Sequence, residues 1–194
     1  MIDLEPVTEQ MAAIVGNIGE EQLAGPTPLE RMNVADLLTH VLGLTIAFRD
    51  AAAKLTGPTT DAPPEADGAD LPTDWRYNLL NRLTELAEAW RAPQAWQGET
   101  RAGGITMPAE AAGAVVNNEL VLHGWDLAVA TDQPFAVAAE NLEASWQFVV
   151  STPDDPAARE GLFGPRLPIP DDAPLLDRTL AYAGRDPQWG PWRG

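Results

Sequence analysis

Apolar residues recur at three- and four-residue intervals in five stretches of the chain, the spacing that lays one apolar stripe along a helix. Val7, Met11, Ile14, Val15, Ile18 and Leu23 predict a first helix over residues 6–23, ended by Gly25-Pro26-Thr27-Pro28. A second is expected from Asn33 to about Leu55, with Asn33 as N-cap, Asp36 in the first turn, and Val34, Leu37, Leu38, Val41, Leu44, Ala47 and Phe48 on its buried side. Thr73 or Asp74 should cap a third helix, to about Trp90, whose stripe is Tyr77, Leu80, Leu83, Leu86 and Ala87. Pro108 suits the first position of a fourth, which carries Ala112, Val115, Val116, Leu120, Leu122, Leu127 and Ala130 and stops at Thr131-Asp132-Gln133-Pro134. A fifth is expected over about 137–150, with Leu142, Trp146, Phe148, Val149 and Val150, and a short last one over about 175–183, ending at Gly184.

The connections read differently. Residues 57–72 are rich in proline, glycine and acids and predict a solvated, mobile loop. Residues 93–107 contain Gly98, Gly103 and Gly104 and suit a short hairpin or an extended loop, while Pro153 to Pro174 is a proline-rich segment. Long helices joined by loops, with no repeat, heptad run or glycine-rich phosphate loop, predict an all-α bundle. At 194 residues the chain is expected to be a single domain over 1–194, with a proline-rich C-terminal extension from about 152.

Charge and composition remove several function classes. The net charge is −17, which opposes binding to nucleic acid and to anionic membranes. The absence of cysteine excludes disulfides, thiolate metal sites and a cysteine nucleophile. The N-terminus lacks a basic region before an apolar one, and no apolar run approaches roughly 18 residues, so a cytoplasmic protein is expected. Lys54 is the only lysine, and His40 and His123 are the only histidines.

Those histidines carry the candidate chemistry. Glu119 and His123 are four residues apart and share one face of the fourth helix, on a stripe that otherwise resembles core. His40 sits likewise on the second helix, beside Leu37, Val41 and Leu44. A divalent metal ion would satisfy all three groups. Two imidazoles and a carboxylate are a catalytic zinc set with a fourth position open, though nickel, iron and manganese also suit such nitrogen and oxygen donors. The spacing Glu-x-x-x-His is not the His-Glu-x-x-His of zincin proteases. A satisfied core histidine and an intrahelical Glu119–His123 pair remain the alternatives. Asp126 is either a surface acid or a group that orients the His123 ring. Trp96, Trp125 and Trp146 read as core or cavity wall, and Arg49, Arg82 and Arg101 as surface ion pairs. Ser145 and Ser151 have no histidine at evident reach, so a serine hydrolase is not indicated. Trp189 and Trp192 in the tail are expected to be exposed and to favour a homodimer.

Three stretches resemble a known family. They are Pro26-Thr27-Pro28 with Val34-Ala35-Asp36-Leu37-Leu38-Thr39-His40-Val41; Glu119-Leu120-Val121-Leu122-His123-Gly124-Trp125-Asp126-Leu127-Ala128, continuing to Ala130-Thr131; and Phe163-Gly164-Pro165 through Asp171-Asp172-Ala173-Pro174 to Gly184-Arg185-Asp186-Pro187. Together they are similar to an actinobacterial family of DinB-like metal-binding proteins, related to the N-terminal domain of mycothiol-dependent maleylpyruvate isomerase. The resemblance implies a DinB-like four-helix bundle with a divalent metal, usually zinc, on His40, Glu119 and His123. It also implies mycothiol as a small-molecule thiol partner acting on an electrophilic substrate, by S-transfer or thiol-assisted isomerisation. A zinc hydrolase using metal-bound water, and a non-catalytic metal-stabilised bundle that binds a small molecule, are the competing expectations. Two departures stand out. The family often has Cys and Trp before the second helix, where this chain has Leu29 and Met32. Only about 45 residues follow the fifth helix, so the isomerase's sizeable C-terminal domain is expected to be absent.

Overall fold

A computed structural model describes residues 1–64 and 66–190. Its helices are α1 Glu5–Gly16, α2 Val34–Ala52, α3 Trp75–Arg91, α4 Ala109–Ala130, α5 Ala139–Ser151, α6 Pro156–Arg159 and α7 Leu175–Tyr182, with one antiparallel hairpin of β1 Glu99–Ala102 and β2 Ile105–Pro108. Each of α1 and α2 packs against both α3 and α4, which makes a four-helix bundle. An outer layer follows, with α5 on α4 and α7 on α5. The bundle core holds Met11, Ile14, Leu37, Leu38, Val41, Leu79, Leu83, Trp90, Leu120 and Leu127. The all-α class is as predicted. No helix among the described residues is long and apolar enough to cross a membrane.

Helix α1 is shorter than expected. It stops at Gly16, and the chain turns through a 3₁₀ segment, Glu20–Gln22. Glycine and asparagine extend a helix poorly, and the Gln22 side chain favours the turn by accepting from the Gly19 amide (2.8 Å) and donating to the Thr131 carbonyl (3.1 Å). Helix α2 begins as predicted. Asn33 Oδ1 accepts from the Asp36 amide and Asp36 Oδ2 accepts from the Asn33 amide, each at 2.9 Å, a reciprocal cap. In α3 the buried register is Trp75, Leu79, Leu83, Leu86 and Trp90. Tyr77, expected in the stripe, is 71% exposed because it lies between turns of that register.

The segment 57–72 is not a free loop. Pro64 packs on Gly43 of α2, the Gly68 amide donates to Asp36 Oδ1 at 2.7 Å, and the Gly104 amide donates to the Thr60 carbonyl at 2.9 Å. The hairpin turns at Gly103-Gly104, both with positive φ, as a two-residue turn of that twist requires. Pro108 closes β2 with extended backbone and is the N-cap residue of α4, one position before its expected place.

Helix α5 buries a different face from the one its apolar residues suggest. Asn141, Ser145 and Val149 are buried, whereas Val150 is exposed. Asn141 Nδ2 donates to Asn117 Oδ1 at 2.8 Å, Asn117 Nδ2 returns a bond to the Asn141 carbonyl at 3.0 Å, and the Ser145 hydroxyl donates to Asn118 Oδ1 at 2.8 Å. Asn117 and Asn118 on α4 need partners when covered, and only polar residues supply them. Trp146 packs against Tyr182, with ring centres 5.0 Å apart and planes tilted by 59°. Trp189 is partly buried against the cluster of Leu122, Trp125, Val149 and Leu180 rather than exposed, and Trp192 lies outside the described residues.

Asp36 thus serves the α2 cap and the 57–72 segment together. Asp36→Ala should cost about 1–2 kcal/mol in chemical denaturation, and amide exchange should accelerate at Gly68 more than in the bundle core.

Candidate metal centre

His40 is on α2, and Glu119 and His123 are on α4, so the α2–α4 contact brings together residues far apart in sequence. One donor atom from each lies within 4.8 Å of the other two. The two imidazoles meet edge to face, with ring centres 5.2 Å apart. His123 Nε2 is 2.9 Å from Glu119 Oε2, the i, i+4 contact expected of the helix.

Asp126 resolves as the orienting group. It is fully buried, and its Oδ2 is 3.1 Å from His123 Nδ1. Sequence reasoning missed the next residue in the chain of contacts. Arg185, in the turn after α7, donates from Nε to Asp126 Oδ1 (3.3 Å) and from Nη2 to Asp126 Oδ2 (3.1 Å). Its signal was its place in the third family-like stretch, since nothing in spacing links it to α4. Gly184 allows the approach: its φ is +82°, and a side chain there would collide with Gly164.

These contacts set the charges. Burial alone would depress the His123 pKa, but hydrogen bonds to Asp126 and Glu119 outweigh it and raise the ring to about 9 from its ordinary 6.5. His40 moves the other way, through burial and then the neighbouring His123 charge. Burial opposes ionisation of Glu119 and Asp126, yet both carboxyls are held below their ordinary range, Glu119 chiefly by the His123 hydrogen bond and Asp126 chiefly by the Arg185 charge. Among the described residues His40 Nδ1 is buried with no well-formed hydrogen bond, with the Pro64 backbone as its polar neighbour. Two imidazoles and a carboxylate, each with a donor atom within 4.8 Å of the others, fit a divalent ion.

The triad opens on a cleft of about 310 Å³, whose walls include Leu29, Met32, Leu122, Leu162, Phe163 and Arg185. A larger groove of about 640 Å³ borders Asp36 and Asp67, whose carboxylates already accept backbone amides. The other polar candidates lie elsewhere. Arg49 pairs with Asp50 and Glu85, and Arg101 with Asp61. Arg82 contacts the Leu42 carbonyl rather than an acid. Trp96 and Trp125 are buried, Ser145 is spent on Asn118, and Ser151 donates to the Phe148 carbonyl.

Two outcomes test this electrostatic chain. Arg185→Ala leaves Asp126 buried with half its compensation and should cost about 3 kcal/mol in denaturant unfolding at pH 7, with Arg185→Lys recovering part because it lacks the forked donor. In chelator, the raised His123 pKa stabilises the fold fully below pH 6.5, and that stabilisation should be lost as pH rises through about 9.

Comparison with known proteins agrees with this architecture. The family model described as "Mycothiol maleylpyruvate isomerase N-terminal domain" matches residues 4–128. An uncharacterized protein, Rv0738, of Mycobacterium tuberculosis strain H37Rv is 24% identical over 184 residues, covering 91% of this chain and 92% of that protein. The crystal structure of a mycothiol-dependent maleylpyruvate isomerase superposes with a TM-score of 0.64 at 20% identity, covering 94% of this chain and 86% of the isomerase. A histidine-to-alanine mutant of a mycothiol-dependent maleylpyruvate isomerase gives a TM-score of 0.60 at 18% identity, over 75% of this chain and 66% of that one. The fold similarity therefore extends past residue 128. The chain, with its bundle and its two-helix His–Glu–His cluster, belongs to the mycothiol maleylpyruvate isomerase N-terminal domain family.

Proposed function

We propose that the chain binds one divalent metal ion, zinc by preference, through His40, Glu119 and His123, and that with mycothiol it carries out S-transfer or thiol-assisted isomerisation of an electrophilic small molecule. The observation that carries this reading is the convergence of three donor atoms within 4.8 Å at the cleft. Family membership motivates the thiol. A divalent ion held there would keep a thiol as its thiolate, the form that adds to an electrophilic carbon.

The chain's own residues have distinct tasks. Asp126 accepts from His123 Nδ1 and so presents Nε2 to the cleft. Glu119 contributes the one anionic donor. Leu29, Met32, Leu122, Leu162 and Phe163 surround the opening and limit water. The hydrolase alternative is less well supported. Among the described residues lining the cleft, His40, Glu119, His123 and Arg185 are the only titratable ones, which leaves no further carboxylate or imidazole as general base.

Metal content by mass spectrometry should give about one divalent ion per chain, lost in His123→Ala, and a titration should detect mycothiol binding to the loaded chain. No metal after reconstitution would overturn the reading, and metal without thiol binding would remove its second half. The pH dependence is diagnostic. Of the three ligands only His123 holds a proton at neutral pH, because its pKa is raised to about 9 while those of His40 and Glu119 are lowered. Apparent metal affinity should therefore rise about tenfold per pH unit between pH 6.5 and about 9, with close to one proton released per ion bound.

A further inference from the structure

The cleft restricts which electrophile can enter. Apart from the three candidate ligands, of which His123 is held between Glu119 and Asp126, its side-chain wall is Leu29, Met32, Leu122, Leu162 and Phe163, with Arg185 as the one further cationic residue among the described lining positions. That guanidinium is already committed. Nε and Nη2 bond to both oxygens of Asp126, Nη1 bonds to the Ala183 carbonyl, and the side chain is only 7% exposed. One N–H on each of Nη1 and Nη2 remains, but the side chain is almost fully buried and its charge is balanced by Asp126, so a substrate carboxylate there would compete with a fully buried acid for its compensating cation. Arg159, behind the Gly161–Gly164 strap, spends Nε and Nη2 on the Gly164 and Tyr182 carbonyls, and its remaining nitrogen is buried. The net charge of −17 adds a field that repels dianions.

The geometry points to a small, neutral compound with an apolar, hydrocarbon body as the substrate class of this cleft, and against a dicarboxylate; that it is an electrophile open to thiol addition, such as an α,β-unsaturated carbonyl compound, follows from the proposed function. The reaction assigned to such a compound rests on the metal-and-thiol reading above. The cleft's preference for it does not, because that follows from the wall and the committed Arg185. A volume of about 310 Å³ sits at the small end of ligand clefts, which limits the size of the hydrocarbon body.

The test is a methyl-resolved titration of the full-length chain, as purified and after chelation. Met32 lines the cleft and is one of four methionines, so its ¹³C-methyl signal, identified with Met32→Leu, reports local occupancy. Benzylideneacetone, a neutral unsaturated ketone, should shift that signal saturably, with half-saturation at least about tenfold below that for maleate. The chelated sample decides, because a carboxylate also ligates a metal directly. Leu162 is 43% exposed at the cleft, so Leu162→Arg should fold normally and, by supplying an uncommitted cation, narrow or reverse the preference. Maleate binding as tightly as the ketone in the chelated wild type would overturn the proposal, as would a Met32 signal that neither compound moves. Metal content and mycothiol binding, read on the same preparations, separate the two claims. A chain without metal that still prefers the ketone defeats the reaction and keeps the cleft, whereas a chain that binds metal and thiol but prefers maleate once chelated does the reverse.

Discussion

Asp126 has no exposed surface, and an ionised carboxylate in such a place is tolerable only with close compensation. One partner, His123, is a helical turn away on the same helix, and the other, Arg185, lies 59 residues further along the chain. Arg185 reaches Asp126 only because α7 ends at a left-handed Gly184 whose backbone lies against Gly164. Gly164 in turn accepts two bonds from Arg159, which also holds the Tyr182 carbonyl. One buried charge thus fixes how the C-terminal segment returns to the bundle. That return supplies Gly161 to Gly164 and Arg185 as one side of the cleft.

The same constraint explains the composition of α4. Residues 120–128 are all buried, so this helix has no solvent face over its second half. It is covered by α1 and α2 on one side and by α5 on the other. Each polar side chain on it must then find a partner in its own direction. Asn117 and Asn118 turn to Asn141 and Ser145, Glu119 and His123 turn to each other near His40, and Asp126 turns to Arg185. The His123 ring is held from both edges, which fixes its orientation before any ligand arrives.

What the sequence made legible follows from range. Glu119 and His123 were readable because a four-residue spacing is a geometric statement once the helix is recognised. His40 was readable as a polar residue on an apolar stripe, although nothing local said that its helix faces α4. Arg185 was not readable from pattern, because no periodicity links a turn after the last helix to the middle of α4. The buried face of α5 was not readable for a related reason. Its apolar residues do not mark the face, because the surface of α4 that it covers carries Asn117 and Asn118 and so selects Asn141 and Ser145 beside Val149. Tyr77 failed by register: its neighbours Trp75 and Leu79 define the stripe, and the residue midway between them faces away. Residues 57–72 look unstructured by composition, yet the bonds that tie them down come from Asp36 of α2 and Gly104 of the hairpin, partners outside the segment that its composition does not reveal.

The cleft divides into a part fixed by the bundle core and a part that can change without threatening the fold. His40, Glu119 and His123 stand on helices whose neighbouring residues, Leu37, Leu38, Val41, Leu120 and Leu122, are almost fully buried. Changing those positions opens cavities or overpacks the core, at about 2–5 kcal/mol for a large-to-small change. Most of the wall comes instead from connecting segments, with Leu29 and Met32 before α2 and Leu162 and Phe163 after α6. Those four are at most partly buried, and substitutions at such sites generally cost little stability. The donor geometry is therefore bound to the bundle core, while the character of the wall can change without threatening the fold. Leu29 and Met32 belong to this tolerant part of the wall, whereas His40 stands a few residues later on a helix whose neighbours are locked in the core.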